Sequence, residues 1–408
     1  MAKEPNPYKP GAGHAPPHLS GRVLEHSDFA KLLEQDVVLR NMVLTGLRGV
    51  GKTVLLEAMI PLAAKRGWVW AGTDLSESAS VTEKNMAVRL MADLAPLVAN
   101  VKVGEHEVKR MGFKPQHRKV PMLLSYDVLQ QVYDTTPGLV ADRLKAVLEL
   151  VWAALKPTGQ RGIVLAYDEA QNLSDQAADR QYPLSLLLEV FQSLQKKGLP
   201  YLLVLTGLPT LYPKLLASRT FAERMFHITL LDKLTPAATR EAIVKPLSKR
   251  TGGVRFSEAT VKEIVRSSDG YPYFIQFMCR EAYESYVQQR IRRVARPQVD
   301  VRSIVRKLDN DFYAGRWNKL TDRQRDLCTV IALLNDRDGE FTVQQITIMA
   351  AKKLTKGFSP SQVTQMLSTL SESGYVYKNR HGRYSFAVPM LGDFIRRGLE
   401  EKRVRPDE

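Results

Sequence analysis

Residues 46–53 read Gly-Leu-Arg-Gly-Val-Gly-Lys-Thr and follow an apolar stretch, residues 37–45, that is typical of a buried strand. Glycines at this spacing let the backbone curl around a phosphate with its N–H groups pointing inward, and a helix that starts at Lys52 would add its positive end. Lys52 is expected to reach the β- and γ-phosphates of ATP or a close purine relative, and Thr53 to bind Mg²⁺. The expected cofactor-binding residues of this phosphate loop are Gly46, Gly49, Gly51, Lys52 and Thr53.

A second motif, residues 163–169, is an apolar stretch that ends in two carboxylates, Asp168 and Glu169. Adjacent acids at a strand end also fit an ordinary solvated turn. Because a phosphate loop lies upstream, we expect instead that Asp168 holds Mg²⁺ through its water shell. Glu169 is expected to orient and activate the water that attacks the nucleotide. The two motifs together predict hydrolysis of ATP to ADP and phosphate.

Three further residues are candidates for contact with the γ-phosphate. The apolar strand at residues 201–206 is expected between the two motif strands and ends at Thr206, which would sense the phosphate. Arg219 and Arg224 precede the last predicted strand, and either is a candidate arginine finger in the same chain or toward a neighbouring subunit. A surface arginine paired with Glu223 or with nothing fits equally well. The predicted catalytic residues are Lys52, Glu169, Thr206 and Arg224.

The pattern of elements along the chain predicts several domains. Five apolar strands alternate with helical segments, which predicts an α/β core of three layers around a parallel sheet. Strands then stop and helical patterns follow, which predicts a helical lid and, after a basic linker, three helices and two short strands typical of a winged helix-turn-helix. The predicted divisions are a flexible Pro- and Gly-rich tail (1–17), the core (18–234), the lid (235–296), the linker (297–319) and the winged helix (320–400).

A polar and basic stretch separates the helical segments at residues 82–101 and 138–155. We interpret it as an exposed insertion, which is either a solvated loop or a contact surface for nucleic acid or a partner. Its basic residues are Lys109, Arg110, Lys114, His117, Arg118 and Lys119.

Composition narrows the class of protein. The chain has 408 residues and a formal net charge of +16, which favours a polyanionic partner such as DNA, although solvated Lys and Arg give the same total. No apolar run reaches the roughly 18 residues of a membrane span, and the N-terminus lacks the core of a secretory signal, so we expect a cytoplasmic protein with no membrane contact. Cys279 and Cys328 are expected to be buried free thiols.

The order of these motifs resembles that of the AAA+ and STAND-like ATPases over roughly residues 18–290, especially the origin-recognition and archaeal-type ATPases. Residues 18–25, His-Leu-Ser-Gly-Arg-Val-Leu-Glu, are similar to the F-x-G-R-x-x-E box that packs beside the adenine in that family. The resemblance implies a P-loop ATPase fold and a cofactor-binding role for Gly21 and Arg22.

The segment Asp-Gly-Tyr-Pro-Tyr at residues 269–273 resembles the second sensor of the family, at the start of a lid helix. Hydrolytic AAA+ members place an Arg where this chain has Tyr273. The Gly-x-Pro form is closer to STAND-like members, and the resemblance implies that Pro272 approaches the nucleotide. This departure puts fast turnover and ring assembly in doubt.

The family often carries a C-terminal winged helix, in agreement with the pattern at residues 320–400. The resemblance implies that residues 361–371 form the recognition helix and that the wing contacts phosphates. That helix carries no Arg or Lys, so protein docking stays open beside DNA binding. The DNA-binding candidates are Gln362, Gln365, Lys378, Arg380 and Arg383.

The sequence is therefore compatible with two functions. The first is an ATPase that couples nucleotide state to DNA association through the winged helix, of the initiation, transposition or defence type. The second is a STAND-like signalling switch in which the bound nucleotide controls a surface for a protein partner. Either is compatible with a monomer or a homo-oligomer.

Overall fold

The computed structural model describes residues 5–11, 13–76, 82–110, 116–248, 254–334, 339–380 and 382–404, without the side chains of residues 103–110, 116–122, 248, 380 and 402–404. These residues fall into two compact units. The sheet unit comprises Arg22–Thr45 and Leu55–Leu230, and the helical unit comprises Met1–Gly21, Gly46–Val54 and Leu231–Glu408.

The sheet unit contains seven strands within the described residues, which are β1 (Asn41–Thr45), β2 (Trp68–Ala71), β3 (Lys102–Arg110), β4 (Gln116–Leu123), β5 (Gly162–Tyr167), β6 (Tyr201–Gly207) and β7 (Phe226–Leu230). Its helices are α1 (Val23–Leu33), α2 (Lys52–Ala64, which begins in the helical unit), α3 (Glu83–Val98), α4 (Tyr126–Thr135), α5 (Val140–Leu155), α6 (Pro183–Lys196), α7 (Leu211–Ser218) and α8 (Ala222–Met225).

Five of these strands form a parallel sheet in the order β2-β5-β6-β1-β7. Every residue of β1, β5 and β6 is buried, because the two faces of a central parallel strand are both covered by other elements. The predicted α/β class with a parallel sheet is confirmed. As expected, β6 lies between the two motif strands, with Leu44 of β1 opposite Thr206.

A buried amide joins β1 to its neighbours. The Asn41 Oδ1 atom accepts hydrogen bonds from the Leu203 backbone N–H and from the Gln195 side chain, each at 2.8 Å. Gln195 also donates to the backbone oxygen of Tyr201 at 2.8 Å. Because all three groups are buried, these bonds remove the cost of burying a polar side chain at the start of the strand that leads to the phosphate loop.

The polar stretch interpreted as a loop is in fact a hairpin. β3 and β4 pair antiparallel, with Glu107 opposite Lys119 and Val108 opposite Arg118. The loop prediction was wrong for these residues, because backbone pairing is not signalled by hydrophobic pattern where apolar residues do not alternate. Lys114 lies outside the described residues, as do the side chains of the other five basic residues named above.

The helical unit contains a series of helices and one two-stranded hairpin within the described residues. The helices are α9 (Pro236–Ser248), α10 (Glu258–Ser268), α11 (Pro272–Ile291), α12 (Val301–Leu308), a π-helical segment (Asp309–Ala314), α13 (Gly315–Asn318), α14 (Asp322–Ala332), α15 (Val343–Lys353), α16 (Pro360–Glu372) and α17 (Leu391–Val404). The hairpin strands are β8 (Val376–Arg380) and β9 (Arg383–Phe386).

Residues 301–318, predicted as part of a linker, are helical. Asp300 caps α12 by accepting from the backbone N–H groups of Arg302 and Ser303 at 3.1 and 3.3 Å. Val301, Ile304 and Leu308 then form a buried face at helical spacing. In the sequence, the many surrounding Arg and Lys residues obscure this narrow apolar stripe, so the linker prediction was wrong for these residues.

Part of the predicted flexible tail is packed. Tyr8 is buried and its hydroxyl donates to the backbone oxygen of Ile243, while the Asn6 side chain donates to the backbone oxygen of Arg280 at 3.1 Å. Burial raises the pKa of the Tyr8 phenol. The prolines do exclude regular structure here, but the tyrosine ring fixes the segment to the helical unit.

The C-terminal elements include the predicted three helices followed by two short strands. α14, α15 and α16 each begin with a Ser or Thr cap paired with a Gln three residues on, a capping box that satisfies the first N–H groups of each helix. The β8–β9 hairpin follows, and Tyr384 of β9 exchanges backbone hydrogen bonds with Phe341 before α15. Cys279 and Cys328 are both free and buried, as predicted. None of the described helices combines the length and apolar character of a membrane span.

Candidate functional site

The phosphate loop is curled where its glycines require it. Gly49 and Gly51 have φ angles of 79° and 91°, a left-handed region that L-residues with a side chain rarely adopt. Gly46 is needed for another reason, since a Cβ atom there would lie 2.4 Å from the backbone oxygen of Leu231. The loop therefore has the backbone form that points N–H groups toward an anion.

Lys52 lies inside this loop. Its Nζ atom donates to the backbone oxygens of Gly46 and Leu47, both at 2.9 Å, and the residue is buried. Lys52 is the first residue of α2 and Thr53 the second, so both stand at the positive end of a helix. An ammonium group held by carbonyls can transfer to phosphate oxygens, which accept more strongly because they are charged.

The start of α11 packs against the phosphate loop within the helical unit. The Tyr273 backbone N–H donates to the oxygen of Gly49 at 3.3 Å, and the Pro272 Cγ atom lies 3.9 Å from where a Cβ of Gly51 would be. The structure thus brings Gly49, Gly51 and Pro272 together, three residues that the sequence assigned to one nucleotide. Tyr273 occupies the position at which an Arg is expected in hydrolytic AAA+ proteins. It is half-buried, and burial raises the pKa of its phenol.

A strained turn fixes the start of α11. Asp269 and Gly270 both have positive φ angles, 46° and 77°. The Gly270 oxygen accepts from the Leu234 N–H at 2.8 Å, and the Asp269 carboxylate pairs with Lys233 at 2.6 Å. Because a Cβ at Gly270 would lie 2.3 Å from the Leu234 oxygen, only glycine fits this close approach of two backbone segments.

The acidic pair lies at the end of β5 in the sheet unit. Asp168 is buried and its Oδ1 atom accepts from the Glu169 backbone N–H at 2.8 Å, whereas the Glu169 side chain is exposed. Glu169 has a φ angle of 51°, a left-handed conformation that is uncommon for a residue with a side chain. Strain of this kind persists where the surroundings over-determine it, which is frequent at functional sites.

Gln171 holds the Glu169 carboxylate, and the sequence reasoning missed it. The Gln171 side-chain amide donates to Glu169, and its Oε1 atom accepts from the backbone N–H of Leu208 at 2.9 Å. The backbone oxygen of Gln171 accepts from Lys214 at 2.6 Å. One carboxamide therefore connects the acid after β5 to the loop after β6. The only signal in the sequence was a polar residue two positions after the acidic pair.

The other predicted catalytic residues have different surroundings. Thr206 is fully buried in β6, and its Oγ1 atom has no hydrogen-bond partner within the described part of the chain. Arg219 pairs with Glu189 at 3.2 Å. Arg224 is exposed on α8 and makes no ion pair with the described residues. Of the two arginines, only Arg219 pairs with a carboxylate among the described residues.

The residues of the box at 18–25 are packed. Gly21 lies against α9, where its Cβ would be 2.8 Å from that of Ala238. Arg22 is buried and forms an ion pair with Glu25 at 3.1 Å. The two charged residues of the box thus neutralise each other at the start of α1.

The predicted DNA-binding residues differ in their exposure and in their contacts. The Gln362 side chain accepts from the Ser359 backbone N–H at 3.0 Å as part of a capping box, which explains its presence without DNA. Gln365 and Lys378 are exposed, and Arg383 is half-buried. The side chain of Arg380 is not among those that the structure describes. The exposed face of α16 is polar but uncharged near its start.

Known proteins similar to this chain were found by sequence. A family model described as a domain of unknown function, DUF8462, matches residues 310–395. The uncharacterized HTH-type transcriptional regulator MJ0774 of Methanocaldococcus jannaschii is 25% identical over 372 residues, which are 89% of this chain and 84% of that protein.

Solved structures show the same architecture. The Walker-type ATPase PABY2304 of Pyrococcus abyssi matches with a TM-score of 0.58 over 93% of this chain and 96% of that one, at 16% identity. The chain has the fold of these Walker-type ATPases. The ADP form of the ORC2 protein of Aeropyrum pernix matches with a TM-score of 0.53 at 13% identity, over 96% of this chain and 97% of that one. The resemblance expected from the motifs is thus confirmed at the level of the fold.

Proposed function

We propose that the protein is an ATPase that couples its nucleotide state to association with DNA. The observation that carries this proposal is the phosphate loop, in which two left-handed glycines, an enclosed Lys52 and a helix N-terminus together form a site for a polyphosphate. The nucleotide phosphates replace the loop carbonyls as acceptors for Lys52. Pro272 and Tyr273, which already touch the loop, lie where a bound nucleotide alters their contacts.

Mg²⁺ fits the donor set. In nucleotide sites this ion is held by one or two protein oxygens together with phosphate oxygens, and it neutralises the charge that builds up on them. We assign the Thr53 hydroxyl to the ion itself and the Asp168 carboxylate to the water shell of the ion.

Hydrolysis is assigned to Glu169. Its exposed carboxylate, fixed by Gln171, accepts the proton of the attacking water and orients it. Thr206, with an unsatisfied hydroxyl, is assigned to the γ-phosphate, and Arg224 to the charge of the transition state. Arg224→Ala is therefore expected to lower kcat by at least about tenfold, and Arg219→Ala by less.

DNA association is supported by three observations. The net charge is +16, the C-terminal elements have winged-helix order, and the relative from Methanocaldococcus jannaschii has a name that describes an HTH-type transcriptional regulator. Lys378 and Arg383 on the hairpin are assigned to phosphates, and Gln365 on α16 to the groove. Gln362 contributes by capping the start of α16, because its side chain already accepts a hydrogen bond from the Ser359 N–H.

The experiment is steady-state ATP hydrolysis by the wild type and Glu169→Gln, with and without duplex DNA at low and moderate salt. The proposal expects hydrolysis that rises with DNA in the wild type and is lost in Glu169→Gln. Lys52→Ala should bind nucleotide at least about tenfold more weakly, since a charge-assisted contact to the phosphates is removed. Hydrolysis that is unaffected by Glu169→Gln would contradict the assignment of the general base.

A second function is favoured by the position of Tyr273. A tyrosine at the loop instead of an arginine, joined to it by a backbone hydrogen bond, suits a switch in which the nucleotide holds the lid rather than a fast hydrolase. Slow hydrolysis indifferent to DNA, together with nucleotide-dependent capture of a purified protein partner, would support this alternative.

A further inference from the structure

A cavity of about 390 Å³ lies within the helical unit, beside the phosphate loop. It is lined by Arg48 of that loop, by Phe312 of the π-helical segment, and by Arg316 and Lys319 near α13. The turn between α16 and β8, including Ser373 and Tyr375, forms the remaining polar wall. No Asp or Glu occurs among the described residues that line it, so three cationic side chains face a space to which these residues bring no acidic group.

These cations form no ion pair with the acidic residues that the structure describes. Several arginines pair with a carboxylate, as Arg219 does with Glu189, but no ion pair within the described ranges involves Arg48, Arg316 or Lys319. Three cations that share a cavity repel one another, and repulsion of this kind is relieved by an anion.

Hydrogen bonds and a cation–π contact hold Arg316 in the wall of the cavity. The Arg316 guanidinium stacks on the Phe312 ring at 4.3 Å and donates to the backbone oxygen of Phe312 at 2.6 Å. Tyr375 donates to the backbone oxygen of Arg316 at 2.8 Å. The Arg48 guanidinium lies 4.0 Å from where a Cβ of Gly374 would be. The cavity thus spans from the phosphate loop to the turn that starts the hairpin.

We propose that this cavity binds a phosphate group of nucleic acid, and that Arg48 links that site to the phosphate loop. A cavity with several cationic donors and no acid selects an anion, and arginine forks match phosphate oxygens. Arg48 stands between Gly46 and Gly49 in sequence, so a change in the loop on nucleotide binding moves a ligand of the second phosphate. The nucleic-acid source of the phosphate rests on the proposed function; the anion site itself does not.

The test places a reporter at the cavity. Ser373 is exposed and lines it, whereas Cys279 and Cys328 are buried, and burial raises the pKa of the Cys328 thiol to about 12. Ser373→Cys can therefore be labelled with an environment-sensitive fluorophore on the full chain. With Mg·ADP saturating the phosphate loop, the label is titrated with a duplex of about 20 base pairs, which exceeds one helical turn, and separately with inorganic phosphate.

The matched variants are Lys319→Gln, Lys319→Arg and Lys196→Gln. Lys196 is an exposed lysine of α6 outside the cavity and controls for net charge. We expect the label to respond to duplex, and Lys319→Gln to weaken that response by about threefold to tenfold with a salt slope smaller by about 0.9. Lys319→Arg and Lys196→Gln should match the parent.

The outcomes separate the two proposals. If inorganic phosphate but not duplex shifts the label, and Lys319→Gln weakens the shift, the anion site stands while its nucleic-acid source fails. The DNA part of the proposed function fails only if a labelled duplex also shows no binding to the chain by fluorescence anisotropy. If neither ligand shifts the label, or if Lys319→Gln behaves like Lys196→Gln, the cavity is not a phosphate site.

Discussion

Replacing Gln171 by Leu should slow hydrolysis without weakening nucleotide binding. The substitution keeps much of the side-chain volume but removes the amide that donates to Glu169 and the oxygen that accepts from the Leu208 N–H. A hydrogen bond to a charged group contributes about 1.5–3 kcal/mol. If that amount is needed to hold the Glu169 carboxylate in the transition state, kcat falls by about 10- to 150-fold, since about 1.4 kcal/mol is tenfold in rate.

The assay is steady-state ATP hydrolysis over a range of ATP concentrations. A positioning defect lowers kcat and kcat/KM together and leaves KM unchanged, because the lost interaction acts in the transition state. Gln35→Leu is the matched control, since the partners of Gln35 among the described residues are backbone groups: it accepts from Leu39 and Arg40 at 2.9 and 3.1 Å and donates to Leu32 at 2.8 Å. If Gln171→Leu has a kcat within about twofold of this control, the role given to Gln171 is wrong.

Three other predictions concern stability and cofactor. Gly270→Ala should lower the free energy of unfolding, measured in urea, by about 3 kcal/mol or more, because the new Cβ is strained by the left-handed backbone and lies 2.3 Å from the Leu234 oxygen. The control Gly198→Ala, at a φ of 74° with nothing within 4 Å of its Cβ, should cost only about 1–2 kcal/mol. Equal losses in the two variants would exclude the clash. Tyr8→Phe should cost about 1 kcal/mol in the same assay, because it removes the hydrogen bond from the Tyr8 hydroxyl to the Ile243 oxygen, and an unchanged midpoint would mean that the N-terminal segment is not docked in solution. Chelation of divalent ions should abolish hydrolysis and leave the circular dichroism spectrum unchanged, and hydrolysis that survives it would remove Mg²⁺ from the mechanism.

The strands and the phosphate loop could be predicted because their signals are local. A glycine pattern specifies the loop backbone, and continuous apolar runs mark β1, β5 and β6 as strands covered on two faces. The capping residues of α14, α15 and α16 likewise stand next to the helices they start.

The features that could not be predicted depend on partners distant in sequence. The β3–β4 hairpin is held by pairing that no apolar alternation announces. Tyr8 is buried against residues distant in sequence, and its hydroxyl donates to the Ile243 oxygen of α9, 235 residues away. Gln171 gains its role from Leu208 and Glu169 together, and Arg48 from the turn at Gly374. Each of these requires the tertiary structure, which a single sequence specifies but does not display.

The most direct test of the account compares the affinity of Glu169→Gln for a labelled duplex with saturating Mg·ATP and with saturating Mg·ADP, measured by fluorescence anisotropy at one fixed salt concentration. This variant keeps the phosphate loop and is expected to hold ATP without consuming it. A coupled system should show affinities that differ by at least about fivefold between the two nucleotides, the lower end of usual coupling free energies. Duplex binding with the same affinity in both states, or no duplex binding at all, would contradict the claim that this protein couples its nucleotide to DNA.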